Sequence, residues 1–174
     1  MEDWAEIVAE HGNAVWQAAY RLLGSEADAA DCVQETFAAA VTVSRREPVR
    51  NWPGLLRQLG TMRALGMIRQ RLRQRKRLDA TEMLDIPDPA PGPAERAAAG
   101  EAAQALRKAL AKLPEREAVA FSLRFLEELT YEQIAEALDL TPNAAGVLIH
   151  RAKTKLRRLM TVSDVSGKDQ VHHD

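Results

Sequence analysis

Nowhere does the chain contain a run of about eighteen apolar residues, the length that a membrane-spanning helix needs, so no membrane insertion is expected. Its start, "MEDWAEIVAEH", is acidic where a secretory leader would be basic, which points to a cytoplasmic protein. Cys32 is the single cysteine in 174 residues, which excludes an internal disulfide and any multi-cysteine zinc site. Its preferred reading is a small, half-buried apolar residue rather than a redox switch. A glycine-rich phosphate loop, a His-Glu-x-x-His pair and a cysteine–histidine cluster are also missing, so an enzyme, a bound metal or a cofactor has no foothold. Valine and isoleucine are scattered rather than alternating, which leaves no strand signal. Alanine, leucine, arginine and glutamate dominate instead, and they favour an all-α fold.

The net charge of −1 hides blocks of opposite sign. Residues 1–44 hold eight acids and one base, Arg21. Residues 45–78 reverse this, with eleven bases against Glu47 alone. Residues 79–101 are acidic again, and residues 141–160 carry five bases and no acid. Such asymmetry implies more than one charged partner.

In "SEADAADCVQETFAAAV", residues 25–41, Ser25 suits an N-cap and Asp28, Asp31 and Glu35 recur at helical spacing on one face. Ala30, Val33, Phe37, Ala40 and Val41 form an apolar keel on the other face. A first helix precedes it, stopped by Gly24. Pro48 and Pro53 bound a loop before a long helix that keeps Leu55, Leu56, Leu59, Met62, Leu65, Ile68 and Leu72 inward. Gly60 and Gly66 within that helix either relieve close packing or weaken it. "DIPDPAPGPAE", residues 85–95, is too rich in proline for a core and reads as an extended linker. The expected organisation is two small helical domains, 1–78 and 101–161, joined by a flexible linker over 79–100 and followed by a disordered tail, 162–174.

In the second domain "AAQALRKALAKL" forms one helix, and Pro114 opens the next. Thr130 with Gln133 forms a capping box, and Tyr131, Ile134, Ala135 and Leu138 make the inner stripe of a short helix. "DLT" turns the chain, Thr141 caps again and Pro142 opens a longer basic helix. This is a helix-turn-helix, and the absence of acids from 141–160 favours a DNA-binding use over a mere bundle corner.

Four stretches, "DAADCVQETF", "NWPGLLRQLGTMRALGMIRQRLR", "LPEREAVAFSLRFLEELTYEQIAEALDLT" and "NAAGVLIHRAKTKLR", resemble in their order the bacterial RNA polymerase sigma factors of the extracytoplasmic-function (ECF) group. With the first helix they cover nearly the whole chain outside linker and tail. The resemblance implies a chain that directs core RNA polymerase to promoters. The acidic helix (Asp28, Asp31, Gln34, Glu35) would bind the clamp helices of the polymerase β′ subunit, and the β subunit would be a further contact. Carboxylates there repel phosphate and suit a basic protein surface.

The loop Ser44–Trp52 would capture a flipped base of the −10 element. Arg45, Arg46 and Arg50 would hold phosphates, Asn51 would offer an amide edge, and Trp52 either a stacking surface or a core residue. Arg63, Arg69, Arg73, Lys76 and Arg77 would track the duplex. At the −35 element the capped helix start Thr141, with Asn143, Ala144, Val147, His150 and Arg151, would face the bases, and Lys153 and Lys155 the phosphates. His150 is equally a solvated histidine. The long helix reads Gly66-Met67-Ile68-Arg69 where many members carry an Asp-x-x-Arg, and bases common at the positions of Gly146 and Leu148 are absent. The family implies two further features. One is an anti-sigma partner. The other is an acidic linker (Asp79, Glu82, Asp85, Asp88) that threads toward the polymerase active centre or is a plain tether. The competing reading, a helix-turn-helix regulator acting without polymerase, explains residues 130–160 but not the acidic helix or the block Arg45–Arg77.

Overall fold

The structure, a computed structural model, describes residues 3–79 and 94–168, all α-helical apart from caps and short loops. Seven helices follow in order: α1 Trp4–Leu23, α2 Glu26–Ser44, α3 Trp52–Asp79, α4 Ala94–Lys112, α5 Glu115–Phe125, α6 Tyr131–Leu138 and α7 Pro142–Lys168. Asp3 caps α1 through its carboxylate, and Gly24 ends it with a left-handed φ of 68°. A side chain at Gly24 would be strained and would also press to 2.7 Å from the Arg107 guanidinium. Ser25 caps α2, as its sequence position suggests.

α1, α2 and α3 pack on one another. The buried face of α2 is turned from the expected keel: Ala29, Cys32, Thr36, Phe37 and Ala40 are buried, Val33 and Val41 are partly buried, and Ala30 is exposed. Hydrogen bonds within α2 and to α3 accompany this turn. The Thr36 hydroxyl donates to the Cys32 carbonyl at 2.7 Å, and the Cys32 thiol donates to the Gly60 carbonyl at 3.5 Å. Both side chains thus enter the core without leaving a polar group unmet. Gly60 lies buried where α3 meets Val15 and Thr36, whereas Gly66 faces open space.

In the second half the Thr130–Gln133 capping box forms in full, and Thr141 caps α7 by accepting the Ala144 N–H at 3.2 Å. Ile134, Ala135 and Leu138 are buried as expected. Tyr131 is not: as the first residue of α6 it stays 44% exposed, with the Arg124 guanidinium over its ring. α7 runs to Lys168, past the expected end at 161, and α4 starts at Ala94, inside the stretch read as linker. Glu82, Asp85 and Asp88 lie outside the described residues.

The two halves share a core. One continuous apolar cluster joins Leu22, Leu23, Ala64, Leu65 and Ile68 to Leu110, Leu113, Val119, Leu123, Ile134, Ile149 and Leu156. A smaller one gathers Val15, Phe37, Ala40 and Leu56 under Trp4 and Trp52. The division expected near residues 79–100 is therefore not a division of the hydrophobic core.

Candidate nucleic-acid and protein interface

The acidic ridge of α2 is part free and part engaged. Asp31, Gln34 and Glu35 are exposed. The Asp28 side chain is only 16% exposed and pairs with Arg71 of α3. Burial opposes its charge, but hydrogen bonds from Arg71 and Ser25 outweigh it and hold the carboxyl below the usual aspartate range. Glu35 lies 3.8 Å from Arg63, both half exposed. Two arginines of α3 thus face α2, so Arg63, expected on the duplex-tracking stripe, sits beside the acidic ridge. Cys32, beneath the ridge, is fully buried rather than half-buried, and burial pushes its thiol pKa up, the opposite of what a reactive thiol needs.

Arg45, Arg46 and Arg50 are exposed around the α2–α3 loop. Asn51 has a structural duty that the sequence did not disclose: its Oδ1 accepts the Gly54 N–H at 2.8 Å and caps α3. A Cβ at position 54 would come within 2.7 Å of the Asn51 amide nitrogen, so the cap requires glycine there. The Asn51 side chain is half-buried at this helix start. Trp52 is partly buried against the smaller cluster and meets Trp4 edge-on at 5.2 Å, which answers the open choice largely in favour of packing.

Farther along α3, Arg73, Lys76 and Arg77 are exposed. Arg69 is not available to a duplex here. Its Nε donates to the Ala111 carbonyl at 3.2 Å, Nη2 to the Leu113 carbonyl at 3.1 Å, and Nη1 lies 3.7 Å from Glu115.

Helix α7 buries Ala145, Ile149, Ala152 and Leu156. Asn143, Val147, His150, Arg151 and Lys153 are exposed, and Ala144 is half-buried. Lys155 departs from expectation: its Nζ donates to both carboxylate oxygens of buried Glu117 at 2.8 Å, an internal ion pair rather than a phosphate contact. Lys153 sits over the Phe125 ring. Beside the α7 N-terminus an open groove of about 390 Å³ is lined by Thr141, Asn143, Val147, Leu148 and Arg151, and also by Arg116. Arg116 escaped the sequence reading because nothing in "PEREA" reveals that the first turn of α5 borders α7.

One pattern links these cations. The carbonyls at a helix C-terminus lack intrahelical donors and carry partial negative charge. Arg69 meets those of α4, Arg107 the Leu22 carbonyl of α1 at 2.5 Å, Arg21 the Leu126 carbonyl after α5 at 3.2 Å, and Arg116 the Leu138 carbonyl of α6 at 3.4 Å.

Comparison with known proteins identifies the class. The family described as Sigma-70 region 2 matches residues 7–52, and Sigma-70 region 4 matches residues 103–156, together more than half of the chain. The chain belongs to the sigma-70 family. Within it the chain belongs to the ECF group. It is 31% identical over 157 residues to the ECF RNA polymerase sigma factor SigE of Mycolicibacterium smegmatis, covering 90% of this chain and 61% of SigE. The chain thus spans about three fifths of that relative's length. It is 27% identical over 164 residues to the ECF sigma factor SigW of Bacillus subtilis, covering 89% of this chain and 87% of SigW. Among solved structures, the sigma factor RpoE of Bartonella quintana, crystallised with the anti-sigma factor NepR, shares the fold with a TM-score of 0.52 at 20% identity, over 93% of this chain and 99% of that one.

Proposed function

We propose that this chain is the promoter-specificity subunit of a bacterial RNA polymerase, binding core polymerase and promoter DNA through separate faces. The observation that carries this reading is the pairing, on one chain, of an exposed acidic helix with a basic helix-turn-helix. The exposed ridge Asp31–Gln34–Glu35 repels phosphate and suits a basic protein surface, the β′ clamp. Asp28 supports the ridge from its pair with Arg71.

The loop Arg45–Asn51 and the α3 residues Arg73, Lys76 and Arg77 take the −10 element, with base capture at the Asn51 amide. The face Thr141–Arg151 of α7 takes the −35 element, with Arg151 reading base edges and Arg116 adding a phosphate contact. An anti-sigma protein is a further partner on this reading, as NepR is for RpoE. The test is charge reversal, Asp31→Lys with Glu35→Lys, followed by titration against purified core polymerase. Both residues are exposed, so helicity is expected to persist while affinity falls at least tenfold. Undiminished affinity in the folded variant overturns the assignment of this ridge.

A further inference from the structure

The proposed −35 face of α7 carries, at its centre, a side chain that neither donates nor accepts a hydrogen bond. Of the large apolar residues between Pro142 and Ala152, Ile149 is buried, Leu148 is partly buried and Val147 is 42% exposed. Asn143, Val147 and Arg151 fall at i, i+4 and i+8, so they form one outward stripe with Val147 in the middle. Leu140, Ala144 and Leu148 continue the apolar surface into the groove between Arg116 and Arg151. Gly146, next to the valine, offers no side chain to compete for a base edge, and the space where its Cβ would stand is open. A β-branched residue in a helix is held mostly in one rotamer, so the Val147 methyls point in a fixed direction.

Base edges differ in what they offer such a group. In the major groove guanine, cytosine and adenine present hydrogen-bonding atoms, whereas thymine presents its C5-methyl beside O4. Valine set against a donor or acceptor strips water from it and returns no hydrogen bond, which is costly. Set against the thymine methyl, it buries apolar surface on both partners. The position opposite valine therefore selects by attraction to one base and by penalty against the others. Its neighbours on the stripe fix where that base lies. Val147 and Arg151 are about 6 Å apart along the helix axis at ~1.5 Å per residue. That is just under two base pairs at ~3.4 Å each, for a helix lying along the groove.

We propose that Val147 is a specificity-determining residue that reads the C5-methyl of a thymine in the −35 element, close beside the base that Arg151 reads. This rests on the sigma-factor reading above and gives its −35 face a contact that polar side chains do not supply.

The experiment uses holoenzyme assembled from the full chain and core polymerase, bound to a duplex promoter selected from a library. Each thymine of its −35 element is exchanged in turn for deoxyuridine, which pairs alike and lacks only the methyl. One exchange is expected to weaken wild-type binding about fourfold, the effect of about one buried methyl. Val147→Ser should be indifferent to that exchange, since a hydroxyl serves any base edge. The affected thymine should lie within about two base pairs of the position where Arg151→Ala loses its preference. With a C·G pair in place of the affected T·A pair, methylation of the cytosine at C5 should recover affinity in the wild type and not in Val147→Ser. Val147 and Arg151 are exposed, so both variants are expected to keep wild-type helicity by circular dichroism.

The deoxyuridine exchange on the wild type needs no substitution in the protein. Wild-type binding unchanged by deoxyuridine at every thymine overturns the proposal, as does a selected −35 element without thymine or a penalty that persists in folded Val147→Ser. The exchange is repeated with the free chain at low salt, where phosphate contacts are strong. Failure to bind core polymerase therefore overturns the sigma reading alone, whereas an absent methyl effect overturns the valine assignment alone.

Discussion

Lys155 shows how one side chain changes meaning with its neighbours. It lies in a run of bases that suggests phosphate, yet both oxygens of buried Glu117 hold its ammonium. Lys155→Met should leave that carboxylate unpaired and cost about 2 kcal/mol, less than the ~3–5 kcal/mol of fully buried pairs because the lysine side chain is 43% exposed. Urea unfolding checks this, and the salt slope of DNA binding should not change. Asp28 gives a pH signature. Its folded pKa lies below the ordinary value of 3.8, so its contribution is present in full above that value and is lost as pH falls through the folded one. Asp28→Asn should therefore lower stability by about 1 kcal/mol at neutral pH, and the gap to wild type should close in strongly acidic buffer. Unfolding curves for both proteins across that range would show whether the gap closes.

Among the elements, the caps and the helix-turn-helix were legible in the sequence because each rests on contacts within four residues: Ser25, Thr130–Gln133 and Thr141 all act as their positions suggest. The rotation of α2 was not legible, since Thr36 counts as polar until the Cys32 carbonyl that satisfies it is known, and Cys32 was read as only half-buried. The capping duty of Asn51 bears on any test of base reading. Asn51→Ala should lose about 1 kcal/mol of stability through α3, whereas Asn51→Ser keeps a capping oxygen and removes the amide. Thermal unfolding should show Asn51→Ser near wild type, and its −10 preference should change while −35 preference holds. In the groove beside the α7 N-terminus, Arg151 of α7 and Arg116 of α5 should separate by role. Arg151→Ala should flatten −35 selectivity by roughly 1–3 kcal/mol, and Arg116→Ala should weaken binding to all sequences alike and lower the salt slope by about 1. Binding to a promoter library at several salt concentrations distinguishes the two.

At the scale of the whole molecule, the charge blocks announced several partners, and the family matches agree with that organisation. The packing of the two halves on one another remained hidden because Arg21, Arg69 and Arg107 find carbonyls that become acceptors only once helices end beside them. A sequence marks an arginine but not the distant helix terminus it will meet. The central claim, that this chain confers promoter selectivity on polymerase, is tested most directly by run-off transcription with purified core polymerase and a promoter library. The account predicts a discrete set of transcripts that core polymerase alone does not make and that the Asp31→Lys, Glu35→Lys chain makes poorly. Stable binding of the chain to promoter DNA with no association with core polymerase and no new transcripts would contradict it.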